Sequence, residues 1–528
     1  MSESMDEKEN QGLKLLRKGQ KGIVHAIFSR TGLIFVLLLI NFGLLFSAFY
    51  WFSGMLPHFY GIAILFIIGV VIYLLNSTMD SSVKNTWLIL IMLMPILGGL
   101  LLLYTRKEIG HRAVKERLNQ LIKETKTSIT QKEETMKALH EESPEVAALA
   151  GYISRTGCFP VYNNTEVTYF PMGEDKFTRM LVELEKAERF IFLEYFIIDE
   201  GFMWGKILVI LAKKAKEGVE VRVMYDGTCE FALLPHNYPK KLSELGIQCK
   251  MFSPISPFVS THYNYRDHRK ILVIDGHTAF TGGVNLSDEY INRVQRFGHW
   301  KDTAVMLKGE AAKSFTLMFL QMWNIDVKKP EFGDYLQDVN VSQTSPKGYV
   351  IPYGDCPLDN DKVGERVYMD ILNRSGKYVH IMTPYLILDT ELEAALKFAA
   401  ERGVDVKLIL PGIPDKKIPY ALAKTHYASL LDSGVKIYEY TPGFVHAKVF
   451  VSDDSKAVVG TINMDYRSLY HHFECAAFLY KTSCISVIEN DFQKTLSKCR
   501  EVTRESVKKE KITTKLLGSV MKVIAPLL

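Results

Sequence analysis

The sequence predicts an α/β fold in which two tandem repeats form one pseudo-symmetric catalytic unit, preceded by an N-terminal transmembrane helical region. Three observations carry this. No Asp, Glu, Lys or Arg occurs from Thr31 to Met79 or from Asn85 to Thr105. A strand–helix–strand pattern appears twice in the remainder. A motif of His, Lys and Asp follows each copy. The 528 residues are 48% hydrophobic and 23% charged, which excludes disordered and collagen-like classes. A net charge of +5 is too weak for the basic face of a nucleic-acid binder. The seven cysteines include no C-x-x-C pair and no Cys/His cluster at zinc spacing, against a disulfide framework or structural metal.

Residues 1–110 read as the membrane region. A spanning helix needs about 20 apolar residues, and the spacing gives candidates near 32–52, 58–76 and 86–104. Tyr50, Trp51, Phe52, Trp87 and Tyr104 stand at their ends, as an interfacial belt requires. Both flanks are basic, with Lys8, Lys14, Arg17, Lys18, Lys21 and Arg30 before and Arg106, Lys107, Arg112, Lys115 and Arg117 after. Both therefore favour the cytoplasmic side, and three spans would separate them. Whether two or three segments cross stays open. Unpaired cysteines fit a reducing, cytoplasmic catalytic part. Residues 111–150 are charge-rich and are expected to form a solvated helical connector.

The repeats occupy 151–330 and 331–528. R-F-I-F-L-E-Y-F-I-I from Arg189 leads through a helix closed by Gly218 to K-E-G-V-E-V-R-V-M-Y-D; K-Y-V-H-I-M-T-P-Y-L-I from Lys377 leads through one closed by Gly403 to E-R-G-V-D-V-K-L-I-L-P. Each is a strand, a capped amphipathic helix and a second, parallel strand. Ser243–Pro254 echoes Leu431–Pro442 in the same way. Neither half has a G-x-G-x-x-G or Walker A sequence, so no nucleotide cofactor is indicated.

Each half then carries H-x-K-x-x-x-x-D and G-[GT]-x-N. The first copy is His268, Lys270 and Asp275 with Gly283 and Asn285; the second is His446, Lys448 and Asp453 with Thr461 and Asn463. Strand alternation would aim each His and Lys the same way. Asp275-Gly276 and Asp453-Asp454 are turn residues, which predicts a hairpin and an architectural share for both Asp. The glycines would let backbone approach a ligand, and Asn285 and Asn463 would add neutral donors. Two imidazoles, two ammonium groups and two amides suit a phosphodiester, with no carboxylate cluster for a hard metal. One His can attack phosphorus while the other moves the proton of the leaving and incoming alcohols. Each His needs a carboxylate to orient it. Pseudo-symmetry pairs Glu474 with His268 and Asp302 with His446. His262, His277, His299, His471 and His472 read as packing or surface residues. The C-terminal Lys515–Leu528 segment, with Lys508, Lys509, Lys511, Lys515 and Lys522 about an apolar face, fits either packing on the domain or lying on anionic lipid.

The doubled motif resembles the phospholipase D superfamily. The M-P-I-L-G-G-L, N-N-T-E-V-T, G-G-V-N-L-S-D-E-Y, W-K-D-T and A-P-L-L segments resemble bacterial cardiolipin synthases over roughly residues 55–528. The resemblance implies a multi-pass enzyme of the bacterial cell membrane. It would convert two phosphatidylglycerols into cardiolipin and glycerol through a phosphatidyl-histidine, without metal or cofactor. It implies His268 as nucleophile and His446 as acid/base, with Lys270, Lys448, Asn285 and Asn463, beside Gly283 and Thr461, holding phosphate; the swapped assignment stays open. The segment 32–52 and the insert P-I-S-P-F-V-S-T-H-Y-N-Y-R-D before His268 depart from the family pattern. A phospholipase D-type hydrolase, or a transferase using another alcohol, is the alternative. A nuclease is disfavoured by the low charge and apolar segments, and a scaffold with a relic site by two intact motifs.

Overall fold

The computed structural model describes residues 56–527 except 107–111, 158, 230–232, 236, 254–264, 338–345 and 360, plus two isolated earlier positions. The apolar segment 32–52, the basic residues 8–30, His262 and most of the aromatic insert lie outside the described residues.

The first half contributes β1 (Thr165–Phe170), β2 (Phe190–Tyr195), β3 (Glu220–Asp226), β4 (Gln248–Phe252), β5 (Arg266–Asp267), β6 (Lys270–Ile274), β7 (Thr278–Gly282), β8 (His299–Lys301) and β9 (Ala304–Gly309). The second contributes β10 (Tyr349–Asp355), β11 (Tyr378–Met382), β12 (Asp405–Pro411), β13 (Lys436–Tyr440), β14 (Gly443–Val445), β15 (Val449–Ser452), β16 (Lys456–Gly460), β17 (His472–Tyr480) and β18 (Cys499–Glu501). The sheet orders are β1-β9-β7-β6-β2-β3-β4 and β10-β17-β16-β15-β11-β12-β13-β18. Apart from the added β18 the two orders are the same, so the duplication extends to topology. All six residues of β2 and all five of β6 are buried. Such strands read as near-continuous apolar runs because both faces are covered.

Helix Ala312–Trp323 is buried at every residue. Its Phe319 stacks on Phe192 of β2 at 4.7 Å. One apolar cluster runs from Phe192 and Phe319 to Tyr353 and Phe450, so the halves share a core. The connector is not solvated as expected. Leu118, Leu121 and Leu139 of helices Arg112–Thr125 and Glu133–Glu142 are buried, and Arg117 donates to Val327 O at 2.8 Å. Helical spacing of these leucines lets charged helices dock while their acidic and basic residues face water.

Helices Leu56–Leu75, Ser81–Leu93 and Pro95–Arg106 precede this core. The expected single segment 86–104 is broken at Met94, because Pro95 cannot continue the preceding helix. The two pieces, 13 and 12 residues long, fall short of the ~30 Å hydrocarbon thickness. Leu56–Leu75 has no charged residue, but its side chains are described continuously only over 64–75. Among the described residues, no helix is long and apolar enough to cross a membrane.

The motif hairpins turn at Asp275-Gly276 and Asp453-Asp454, all four residues having positive φ. Their carboxylates are capping devices. Asp275 accepts from the amides of Glu188, Arg189 and Phe190 at 2.8–2.9 Å, and Asp453 from those of Gly376, Lys377 and Tyr378 at 2.8–2.9 Å. Each ties its turn to the start of β2 or β11. Asp275 lies five residues beyond Lys270, roughly 17 Å of extended chain. The motif makes Asp275 and Asp453 catalytic candidates as well, but here their carboxylates bind backbone amides at the end of each strand remote from the motif lysine. Asp275→Ala should destabilise by about 2–3 kcal/mol, since the buried Phe190 amide and two part-buried amides lose a charged acceptor. Asp453→Ala, where the amides reach water, should cost about 1–2 kcal/mol. Denaturant unfolding of the solubilised protein measures both. Activity per folded molecule should stay near wild type, and a specific loss of turnover would restore a chemical role.

Candidate active site

Each motif His sits where the chain leaves one sheet and joins another. β5 pairs in parallel with β17 of the second half, and His268 N donates to Phe473 O at 2.9 Å. β14 pairs in parallel with β8 of the first half, and His446 N donates to Lys301 O at 2.7 Å. Only after His268 and His446 do β6 and β15 enter their own sheets. The expected uninterrupted strand from His to Asp is therefore two strands with the His at the junction. The acceptors Phe473 and Lys301 immediately precede Glu474 and Asp302, so backbone pairing delivers each imidazole to a carboxylate of the other half.

His268 Nδ1 lies 2.8 and 3.0 Å from the Glu474 oxygens, and His446 Nδ1 lies 2.7 Å from Asp302 Oδ2. All four side chains are buried. Gly283 and Thr461, expected beside the phosphate, lie against these carboxylates. A Cβ at Gly283 would lie 2.0 Å from Asp302 Oδ1, so only glycine leaves room for that carboxylate. The Thr461 hydroxyl donates to Glu474, as does Ser468. Asn285 is also occupied: Oδ1 accepts from Ile197 N at 3.1 Å and Nδ2 donates to Tyr290 OH at 2.8 Å. Asn463 Oδ1 is buried without a partner.

Lys270 Nζ donates to His268 O at 2.6 Å, and Lys448 Nζ lies 3.0 Å from His446 Nε2 while donating to His446 O. Burial lowers Lys270 to about 8 and Lys448 to about 7, against the pull of Asp302 and Glu474. Burial and Lys448 lower His446 to about 4, although Asp302 pulls the other way. Burial drives His268 well below the ordinary imidazole value, helped by Lys270, His472, Lys448 and His446. These last two belong to the other half, so the two arms lie near enough for the charge of one to act on the other. Burial alone would raise Asp302, but His446, Lys448 and the Thr303 amide outweigh it and hold the carboxyl below its ordinary range. Glu474 is pushed well up by burial, against the opposing charge of Lys270.

Sequence reasoning missed several neighbours. His472, read as a packing or surface residue, lies beside the site: its ring centroid is 5.2 Å from that of His268, and Nδ1 is 3.6 Å from Glu474 Oε1. Trp300 occupies the matching place, 5.4 Å from His446. Both stand two residues before an orienting carboxylate, so strand alternation was the available signal. His268, His472 and Glu474 bring three potential ligand atoms within 4.8 Å of one another, but the charge of Lys270 acts on both His268 and Glu474 and opposes a metal cation there. Lys176, buried 3.1 Å from Val284 O and 3.2 Å from Tyr195 OH, is lowered to about 7 by burial. Nothing in the repeat pattern marks it.

A protein from Streptococcus mutans described only as uncharacterized is 60% identical, covering 87% of this chain and 100% of its own. A cardiolipin synthase of Alkalihalophilus pseudofirmus is 32% identical, over 92% of this chain and 98% of its own. The crystal structure of a phosphatidylserine synthase from Haemophilus influenzae superposes with a TM-score of 0.53 over 69% of this chain and 93% of that one. At 14% identity it speaks for the fold alone. Residues 180–323 and 368–496, which hold both motif histidines and both orienting carboxylates, match the family model described as cardiolipin synthase, PLD-like domain, and the chain belongs to that family.

Proposed function

We propose that this chain is a phosphatidyltransferase that makes cardiolipin and glycerol from two phosphatidylglycerols. One observation carries the mechanism: two buried His–carboxylate arms, each assembled from both halves, lie within reach of each other's charge beside two buried lysines. The phosphodiester lies between Lys270 and Lys448, with Asn463 donating to an oxygen after a half-turn of its amide. His268 Nε2 attacks phosphorus and the bond to the glycerol headgroup oxygen breaks. As imidazole charge develops, His268 Nδ1–H donates to Glu474, whose high proton affinity stabilises it. His446 gives its proton to the departing glycerol, then takes one from a hydroxyl of the second phosphatidylglycerol as that oxygen attacks phosphorus and frees His268. Asp302 holds His446 in the required tautomer. Burial and Lys448 keep His446 neutral. The bound phosphodiester adds a negative charge beside it and raises its proton affinity, so substrate binding arms the acid.

A diacyl substrate stays in its bilayer, and the charge-free stretches 31–79 and 85–105 support a membrane-bound enzyme of the bacterial cell. The break at Met94 favours a hairpin that enters the bilayer and returns over a crossing helix at that segment. The basic flanks on either side support a cytoplasmic catalytic part. Residues 151–330 and 331–528 are the two catalytic repeats in this reading.

His268→Ala and His446→Ala should each lower turnover by roughly 10⁴-fold or more while the protein stays folded. Labelled phosphatidylglycerol should yield labelled cardiolipin and glycerol; phosphatidic acid as main product would instead identify a hydrolase. Chelators should not inhibit. The lysines hold phosphate as cations, and that charge is present below their pKa and lost above it. Therefore kcat/KM should fall as pH rises through about 7 to 8. A profile flat to pH ~9 would remove Lys270 and Lys448 from phosphate binding.

A further inference from the structure

A second amphipathic surface lies at the C-terminus, on helix Ile512–Ile524. Its buried Gly518 faces helix Lys417–Asp432, where a Cβ would lie 2.4 Å from Ala421 O. Glycine therefore sets the close packing of the two helices. On its exposed side Ile512, Leu516 and Val520 follow one another at four-residue steps and are 77, 65 and 58% exposed. That is an unpartnered apolar stripe along one side of a helix. Lys508, Lys509, Lys511, Lys515 and Lys522 flank it. The nearby acids are Glu505 and Glu510, and Glu510 is 3.3 Å from Lys424. Lys509, Lys511 and Lys515 also line, with Lys424 and Arg500, a cleft of about 630 Å³ beneath the helix.

This helix is joined to the apolar N-terminal helices. Thr86 Oγ1 donates to Val523 O at 2.7 Å, and Leu527 packs on the cluster of Leu74, Trp87, Ile91 and Leu102. Met92 and Leu93, at the Pro95 break, are exposed as well. The exposed apolar side chains of both termini thus belong to one structural block. A second copy of the chain would bring the same lysines against these, so like charge disfavours it as the occupant.

We propose that helix Ile512–Ile524 is a second membrane contact. It lies in the interface of an anionic phospholipid bilayer, with Leu516 and Val520 among the acyl chains and the lysines at the phosphates. The inference rests on the reading of the substrate as a bilayer lipid, and adds an attachment remote from the reacting histidines.

Three readouts on the full-length enzyme test it. With Leu516 replaced by p-benzoylphenylalanine, irradiation in phosphatidylglycerol nanodiscs should crosslink the chain to lipid. The same replacement at exposed Val182, in the first half, should not. No crosslink at 516, or equal crosslinking at both positions, overturns the proposal whatever reaction the enzyme catalyses. The charge variant with Lys508, Lys509, Lys511 and Lys515 each changed to Gln should raise the KM for phosphatidylglycerol in mixed vesicles about tenfold, with kcat within about twofold. In detergent micelles both constants should stay at wild-type values. Leu516→Asp should behave likewise. Equal losses in vesicles and micelles would show that the helix serves the fold alone. If the wild type makes no cardiolipin, the proposed reaction fails, while the crosslink still decides the membrane contact.

Discussion

The site depends on two short parallel pairings across the halves, β5 with β17 and β14 with β8. Each fixes a backbone hydrogen bond from a motif histidine to the carbonyl just before its carboxylate partner. A side-chain contact alone would leave both groups free to choose other rotamers and partners. The backbone bond sets the spacing before the imidazole and carboxylate meet. Neither half can therefore complete either arm alone. The shared apolar core around Phe192, Phe319, Tyr353 and Phe450 holds the halves in the register these bonds need.

Pseudo-symmetry stops at the side chains, and the chemistry needs it to stop there. Asp302 is short and lies against Gly283, whose missing Cβ makes room for it. Glu474 is one methylene longer and is held by Thr461 and Ser468 hydroxyls. His472 stands beside His268 where Trp300 stands beside His446. The Asp302 carboxyl is held below its ordinary range and the Glu474 carboxyl is pushed above its own. Two arms built alike thus differ in proton affinity, as the proposed division into an attacking and a proton-carrying imidazole requires.

Much of this was legible in the residues. The repeated strand–helix–strand pattern gives the common sheet order, because adjacent buried strands leave few ways to connect. The carboxylate partners followed from symmetry, since each sits at a similar remove from its motif. What the pattern hid depended on side-chain reach. H-x-K-x-x-x-x-D does not show that Asp275 and Asp453 turn back to cap the strands that start at Phe190 and Tyr378. Nor does a glycine after a strand show whether it admits a ligand or a carboxylate, and at Gly283 it admits Asp302. Lys176 comes from a helix with no matching lysine in the other repeat. The break at Pro95 was readable, but a run of leucines on both sides of it resembles one continuous span.

The charges in the pocket explain why an anionic lipid suits it. Lys176, Lys270 and Lys448 are buried near two carboxyls, and burial has already weakened the hold of all three on their protons. Three buried ammonium groups beside two carboxyls leave the site wanting negative charge. A phosphodiester supplies it and strengthens the proton affinity of every cation it touches, so substrate capture and proton capture are one linked equilibrium. Water brings no charge and cannot do this. The departing glycerol is neutral, so the phosphoryl charge stays at the site, and an acceptor that is itself an anionic phosphatidylglycerol adds a second. On this argument the preference for transfer over hydrolysis comes from electrostatic linkage in a desolvated pocket as well as from the exclusion of water.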